Sequence, residues 1–148
     1  MRPEKGFTLI ELLIVVAIIG IIAAIAVPNL INAVDKGKQT KTMADMKAIA
    51  GAIEVYAVDN NTYPRVASFT ALAQFLQPNY IKLAPVSDGW NHAWVFEGDT
   101  TGGLGYTLIS LGKDGVTSVT NGGQTHDFDC DIIYANGQFF QWPAGAQT

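Results

Sequence analysis

Cysteine occurs once in the 148 residues, at Cys130, so no intrachain disulfide can staple the fold. Charge is scarce as well: Asp, Glu, Lys and Arg make up 15% of the chain, against roughly 25% in an ordinary soluble domain. Basic charge is nearly missing from the second half. Beyond Lys82 the one basic residue is Lys113, against seven acids: Asp88, Glu97, Asp99, Asp114, Asp127, Asp129 and Asp131. Phosphate contacts need Lys and Arg, so this half excludes a nucleic-acid surface and suits bound cations better. No internal repeat, low-complexity tract or G-x-S-x-G elbow occurs, and no Cys–His pair carries a catalytic signature. The expectation is a protein that is not an enzyme. Apolar types reach 49%, which excludes disorder.

Those apolar residues are unevenly placed. Phe7 to Val27 is 21 residues with one charge, Glu11, and one hydroxyl, Thr8. As a helix this run spans about 31 Å at ~1.5 Å per residue, close to the ~30 Å hydrocarbon core of a bilayer. The helical pattern continues to about Asp59, but its character changes. Met43, Met46, Ile49, Ala50, Ile53, Tyr56 and Ala57 recur at spacings of three and four and form one stripe. Pro28 predicts a kink or local melting near residues 24–28. The helix stops at Asp59-Asn60-Asn61-Thr62, and Pro64 opposes continuation.

Beyond Asn60 the chain is rich in Gly, Asn, Asp, Thr and aromatics. Phe69 to Leu76 reads as a short helix with Ser68 as its cap. Trp94–Phe96, Gly105–Leu111, Asp131–Tyr134 and Gln138–Trp142 read as strands, and Asn136-Gly137 between the last two is a two-residue hairpin signal. The predicted fold class is α+β: a long protruding N-terminal helix, apolar in its first half and amphipathic in its second. That helix packs on a small antiparallel sheet with a C-terminal loop. Trp90, Trp94, Trp142, Phe139 and Phe140 are read as core of the sheet rather than as a binding face. Lys36, Lys38, Lys41 and Lys47 are read as a solvated helix face or as partners for acids of other subunits.

The N-terminus carries the most specific motif. Lys5-Gly6-Phe7-Thr8-Leu9-Ile10-Glu11-Leu12-Leu13-Ile14-Val15-Val16-Ala17-Ile18-Ile19-Gly20 resembles the class III signal of type IV pilins and type II secretion pseudopilins. An ordinary signal peptide, with Ala24-Ile25-Ala26 as its cleavage site, and a plain signal anchor are the competing readings. Glu11 argues against both, because a carboxylate in hydrocarbon costs a few kcal/mol. The resemblance implies that a prepilin peptidase cuts between Gly6 and Phe7 and methylates the new amine. The segments expected are a leader at 1–6, a membrane or filament-core helix at 7–27, an amphipathic helix at 28–59 and a globular head at 60–148. An ionised Glu11 in an apolar bundle needs a partner. The Phe7 amine of a neighbouring subunit is one; its own Phe7 amine or helix N-terminus is the other. The resemblance implies that Glu11 supports assembly.

Within the head, Asn79-Tyr80-Ile81-Lys82-Leu83-Ala84-Pro85, Asp88-Gly89-Trp90-Asn91, Gly105 to Gly115 and Asp131-Ile132 resemble the major pseudopilin of type II secretion. That resemblance implies a calcium ion in the loop 111–131. Asp114 and Asp131 would supply carboxylates, Leu111 and Val116 carbonyl oxygens, and Asp129 would stand in for the acid missing at Cys130. Calcium takes six to eight oxygens, and Gly112 and Gly115 let the backbone turn carbonyls inward. The bland alternative is that Asp-Gly pairs only form turns. Zinc at His126 and Cys130 lacks enough Cys and His ligands.

The function expected is a structural subunit of a membrane-rooted helical filament, a major pseudopilin supporting protein export. Its partners would be copies of itself, the prepilin peptidase, an inner-membrane assembly platform, minor pseudopilins or pilins, and membrane lipid. The head would lie outside the cytoplasm, with no nucleic acid as partner. The alternatives are a disulfide-free type IV major pilin and a membrane-anchored enzyme or ligand-binding domain.

Overall fold

A computed structural model describes residues 6–144 of the chain. Helix α1 runs Leu9–Asn60 and α2 Phe69–Leu76; five strands follow, β1 Val95–Gly98, β2 Tyr106–Ser110, β3 Gly123–Thr125, β4 Ile132–Ala135 and β5 Gln138–Pro143. The chain divides into two compact units, one up to Val34 and one from Asp35.

In the first unit every described side chain is exposed. The helix passes through Pro28 without interruption, so the melting expected at 24–28 does not occur. Proline in a helix interior removes one ladder bond and costs about 3 kcal/mol, but bonds on either side survive. The strong helix formers Ala23, Ala24, Ala26 and Leu30 carry the helix across.

The second unit begins with the rest of α1. Its buried residues are Asp35, Gln39, Thr42, Met46, Ile49, Ala50, Ala52 and Ile53, a stripe with the alternating four-and-three spacing of one helix face. The apolar part of that stripe matches the sequence pattern; its polar start does not show in a hydropathy reading. Asn61, at φ 54°, takes the left-handed conformation that often ends a helix. In α2, Ser68 Oγ accepts from Ala71 N at 3.3 Å, as a cap should. Leu72 and Leu76 face inward.

The sheet order is β1-β2-β4-β5-β3. Neighbours pair antiparallel except β3, which lies parallel to β5 with Gln124 opposite Trp142. The sheet is therefore mixed, not purely antiparallel. A segment Gly123-Gln124-Thr125 shows no apolar alternation, so its strand exists only because a returning loop delivers it to the β5 edge. The β4–β5 hairpin turns on Asn136 and Gly137, both with positive φ (46° and 87°), as a type I′ turn requires. The core joins Met46, Ile49 and Ile53 of α1, Leu72 and Leu76 of α2, and Trp94, Phe96, Tyr106, Leu108 and Ile132 of the sheet layer.

Candidate functional site

The start of α1 is organised by two residues. Thr8 N and Thr8 Oγ1 donate to Glu11 Oε2 at 2.9 and 2.7 Å, and Glu11 N donates back to Thr8 Oγ1 at 3.3 Å. This is a capping box: Thr8 is the N-cap and Glu11 the third helical residue. Glu11 thus serves its own helix N-terminus, one of the two partners expected for it. This box was not read from sequence; the Thr-x-x-Glu spacing is the local signal that marks it. Both bonds use Oε2, so the cap does not engage Oε1. Gly6 and Phe7 precede the helix, both exposed; residues 1–5 of the expected leader lie outside the described residues. The apolar side chains from Phe7 to Val34 all meet solvent, and α1 is long and apolar enough to cross a membrane.

The second site is the loop after β2. Gly112 and Gly115 adopt φ of 65° and 69°, in the left-handed region open to glycine. At Gly112 a methyl group would sit 2.7 Å from the Asp129 carbonyl oxygen and 2.9 Å from that of Cys130, so the two limbs of the loop touch there. Lys113 N donates to Phe128 O at 2.9 Å across the same gap. Asp114, exposed, accepts from Val116 N at 3.0 Å.

Asp131 is different. It is 1% exposed; its Oδ2 accepts from Ser118 N at 3.1 Å and its N donates to Ser118 Oγ at 2.9 Å. Its Oδ1 is buried and has no hydrogen-bond partner. Burial pushes its carboxyl above the usual range and the Asp114 charge adds to this, against the lowering bonds from Ser118. Gln141, 2% exposed, braces the place: Nε2 donates to Asp131 O at 2.9 Å, and Oε1 accepts from Asn121 N and Gly122 N, both at 3.2 Å. Ser118 and Gln141 were not read from sequence, and no local signal marks them.

Asp129 and Val116 are exposed and Leu111 is half-buried. The structure brings Asp131 and Asp114 within electrostatic reach of each other. The field of Asp129 falls instead on Lys113 and Cys130. Among the described residues no three His, Cys, Asp or Glu side chains form a metal-ligand cluster, the loop aspartates included. Burial, with the Asp127 charge, pushes the Cys130 thiol up, away from thiolate chemistry. An orphaned buried carboxylate oxygen beside a second acid, in a loop of turned backbone, fits a hard cation held mainly by oxygens.

The same loop is tied to its surroundings on the other side. Lys113 Nζ lies 2.9 Å from Asp35 Oδ2 on α1, and Trp90 Nε1 donates to Asp35 Oδ1 at 3.3 Å. Buried Asp88 accepts from Ser110 Oγ at 2.7 Å and from the backbone N of Trp90 and His92 at 3.0 and 2.8 Å. His92 Nδ1 donates to Gly112 O at 2.9 Å.

Comparison with known proteins places the whole chain. The prokaryotic N-terminal methylation motif matches residues 1–27. The profile of type II secretion system protein G matches residues 29–132, most of the head and the loop included. The chain belongs to the type II secretion system protein G family. Within it, the chain is 36% identical over 139 residues to the type II secretion system core protein G of Pseudomonas aeruginosa, covering 86% of this chain and 94% of that one. The core protein G of Escherichia coli K12 is 32% identical, with 76% and 83% covered. That of Vibrio cholerae is 33% identical, with 78% and 84% covered. This is the family of major pseudopilins, structural subunits of protein secretion, as the N-terminal motif and the head implied.

Proposed function

We propose that this pseudopilin is cut by a prepilin peptidase between Gly6 and Phe7, is held in the inner membrane by residues 7–27, and polymerises with copies of itself outside the cytoplasm. Minor pseudopilins and an inner-membrane assembly platform are its further partners. The observation that carries this reading is the exposed apolar run from Phe7 to Val34, on a helix whose only early charge is the cap carboxylate Glu11. Such a surface is covered by lipid before assembly and by other helices after it. Once the leader is gone, the new Phe7 ammonium of a neighbouring subunit is a natural partner for Glu11 Oε1, the oxygen its own cap leaves unused. That pairing would set the axial stagger between subunits.

We also propose that the 111–131 loop holds calcium, with carboxylates from Asp131, Asp114 and, once the ion draws it in from the surface, Asp129, and with carbonyl oxygens from Leu111 and Val116. The ion would supply fixed positive charge that offsets the buried Asp131. Gln141 and Ser118 would hold Asp131 in place.

The test coexpresses the chain with a prepilin peptidase and a secretion platform. Mass spectrometry should show loss of six residues and one added methyl group, and negative-stain imaging should show filaments. Glu11→Ala should still insert and be cut, while filament yield falls. An uncut wild-type chain would sink the reading; full filament yield from Glu11→Ala would show that apolar packing alone sets the stagger.

A further inference from the structure

Lys113 is the single basic residue beyond Lys82, and it stands inside the segment that carries Leu111, Asp114 and Val116. An ammonium on a flexible stem in an acidic loop is a built-in competitor for any metal cation there. Asp129 and Asp127 both attract it. Yet its Nζ lies on Asp35 Oδ2 at 2.9 Å. Asp35 is 4% exposed, and Trp90 Nε1 fixes its other oxygen at 3.3 Å. The turn carrying Trp90 is itself pinned to α1. Gly89 N donates to Thr42 Oγ1 at 2.9 Å, and Gly89 lies against the Lys38 carbonyl, where any side chain would collide. The carboxylate that captures Lys113 is therefore rigidly placed, while the lysine is not.

We propose that Asp35 is a positioning residue for divalent-cation binding: by holding the Lys113 ammonium on α1, it keeps that charge out of the loop carboxylates and leaves them to the metal. This rests on the calcium reading above. The two equilibria are linked, so reciprocity applies: whatever Asp35 does for the metal, the metal does for the Asp35–Lys113 pair. An ordinary structural ion pair predicts something else. Loss of either partner would then lower stability alike and leave metal affinity untouched or equally weakened.

Opposite signs at the two partners distinguish these cases. Calcium is titrated calorimetrically into the full-length chain in detergent micelles after chelator treatment. Asp35→Asn frees the ammonium and should weaken calcium binding about fivefold to tenfold, the lower part of the usual range of coupling between sites. Lys113→Gln removes the competitor and should bind as tightly as wild type or tighter. The double variant should match Lys113→Gln, because Asp35 acts only through Lys113. Asp35→Glu should keep most of the affinity. Wild-type chain that takes up no calcium would overturn the loop reading itself. Wild-type binding with unchanged affinity in Asp35→Asn, or weakened binding in Lys113→Gln, would overturn this proposal and leave the loop reading standing. Should Asp35→Asn fail to fold, Lys113→Gln decides by its sign: tighter calcium binding then supports the proposal, and unchanged or weakened binding overturns it.

Discussion

Asp131→Asn separates what the loop costs without metal from what metal contributes. In the metal-free protein Asp131 is 1% exposed with Oδ1 unpartnered, and burial, reinforced by Asp114, raises its carboxyl pKa. A raised folded value means the associated stability is complete below the unfolded value near 3.9 and is lost as pH climbs through the folded value. At neutral pH the metal-free head therefore carries the cost of an ionised, half-paired carboxylate. Calcium reverses this, because it binds the ionised form. At a hundredfold excess over its dissociation constant it adds about 2.7 kcal/mol by mass action. A unit the size of the head gains roughly 4 °C per kcal/mol, so wild type should melt about 10 °C higher at that excess of calcium. Magnesium should do less, because it demands a tight octahedron. Asp131→Asn should melt no lower than wild type in chelator and show no calcium shift. Differential scanning calorimetry at pH 5 and 7 measures both, and the wild-type calcium shift should grow with pH. Identical wild-type melting curves in calcium and chelator would refute the reasoning, and so would an Asp131→Asn variant that keeps the shift.

Two further outcomes concern the fold that carries the loop. Glu54 on α1 accepts from Tyr106 Oη at 3.0 Å and Tyr63 Oη at 3.1 Å. Glu54→Ala strands the buried Tyr106 hydroxyl and should cost about 2–3 kcal/mol in urea unfolding, with Glu54→Gln closer to wild type. Burial, then the Glu54 bond, raises the Tyr106 pKa, so this stability holds below the ordinary phenol value near 10 and falls at higher pH; Tyr106→Phe should flatten that loss. Gly112→Ala meets a positive φ and the Asp129 and Cys130 carbonyl oxygens, and should cost about 2 kcal/mol or more. Gly123→Ala has positive φ and open space around it, so it should cost only the dihedral part, ~1 kcal/mol. Equal losses at the two glycines, read from the same unfolding curves, would show that the close approach carries no energy.

The residues themselves determined whatever depends on near neighbours in the chain. The apolar run of α1, the Ser68 cap, the Asn136-Gly137 turn and the N-terminal motif are local patterns. Their physics acts within a few residues: ladder bonds, capping bonds and positive φ. Tertiary structure decided the rest. Asp35, Gln39 and Thr42 lie on the buried face of α1, although hydropathy places them in water, because the 88–92 turn and Lys113 arrive to pair with Asp35 and Thr42. β3 is a strand only through its parallel partner β5. Most of all, the sequence offered several loop aspartates on nearly equal terms. Only the fold buried Asp131, braced it with Ser118 and Gln141, and left Asp114 and Asp129 at the surface. Burial and the direction of a carboxylate are set by contacts made far along the chain, which no spacing of residues encodes.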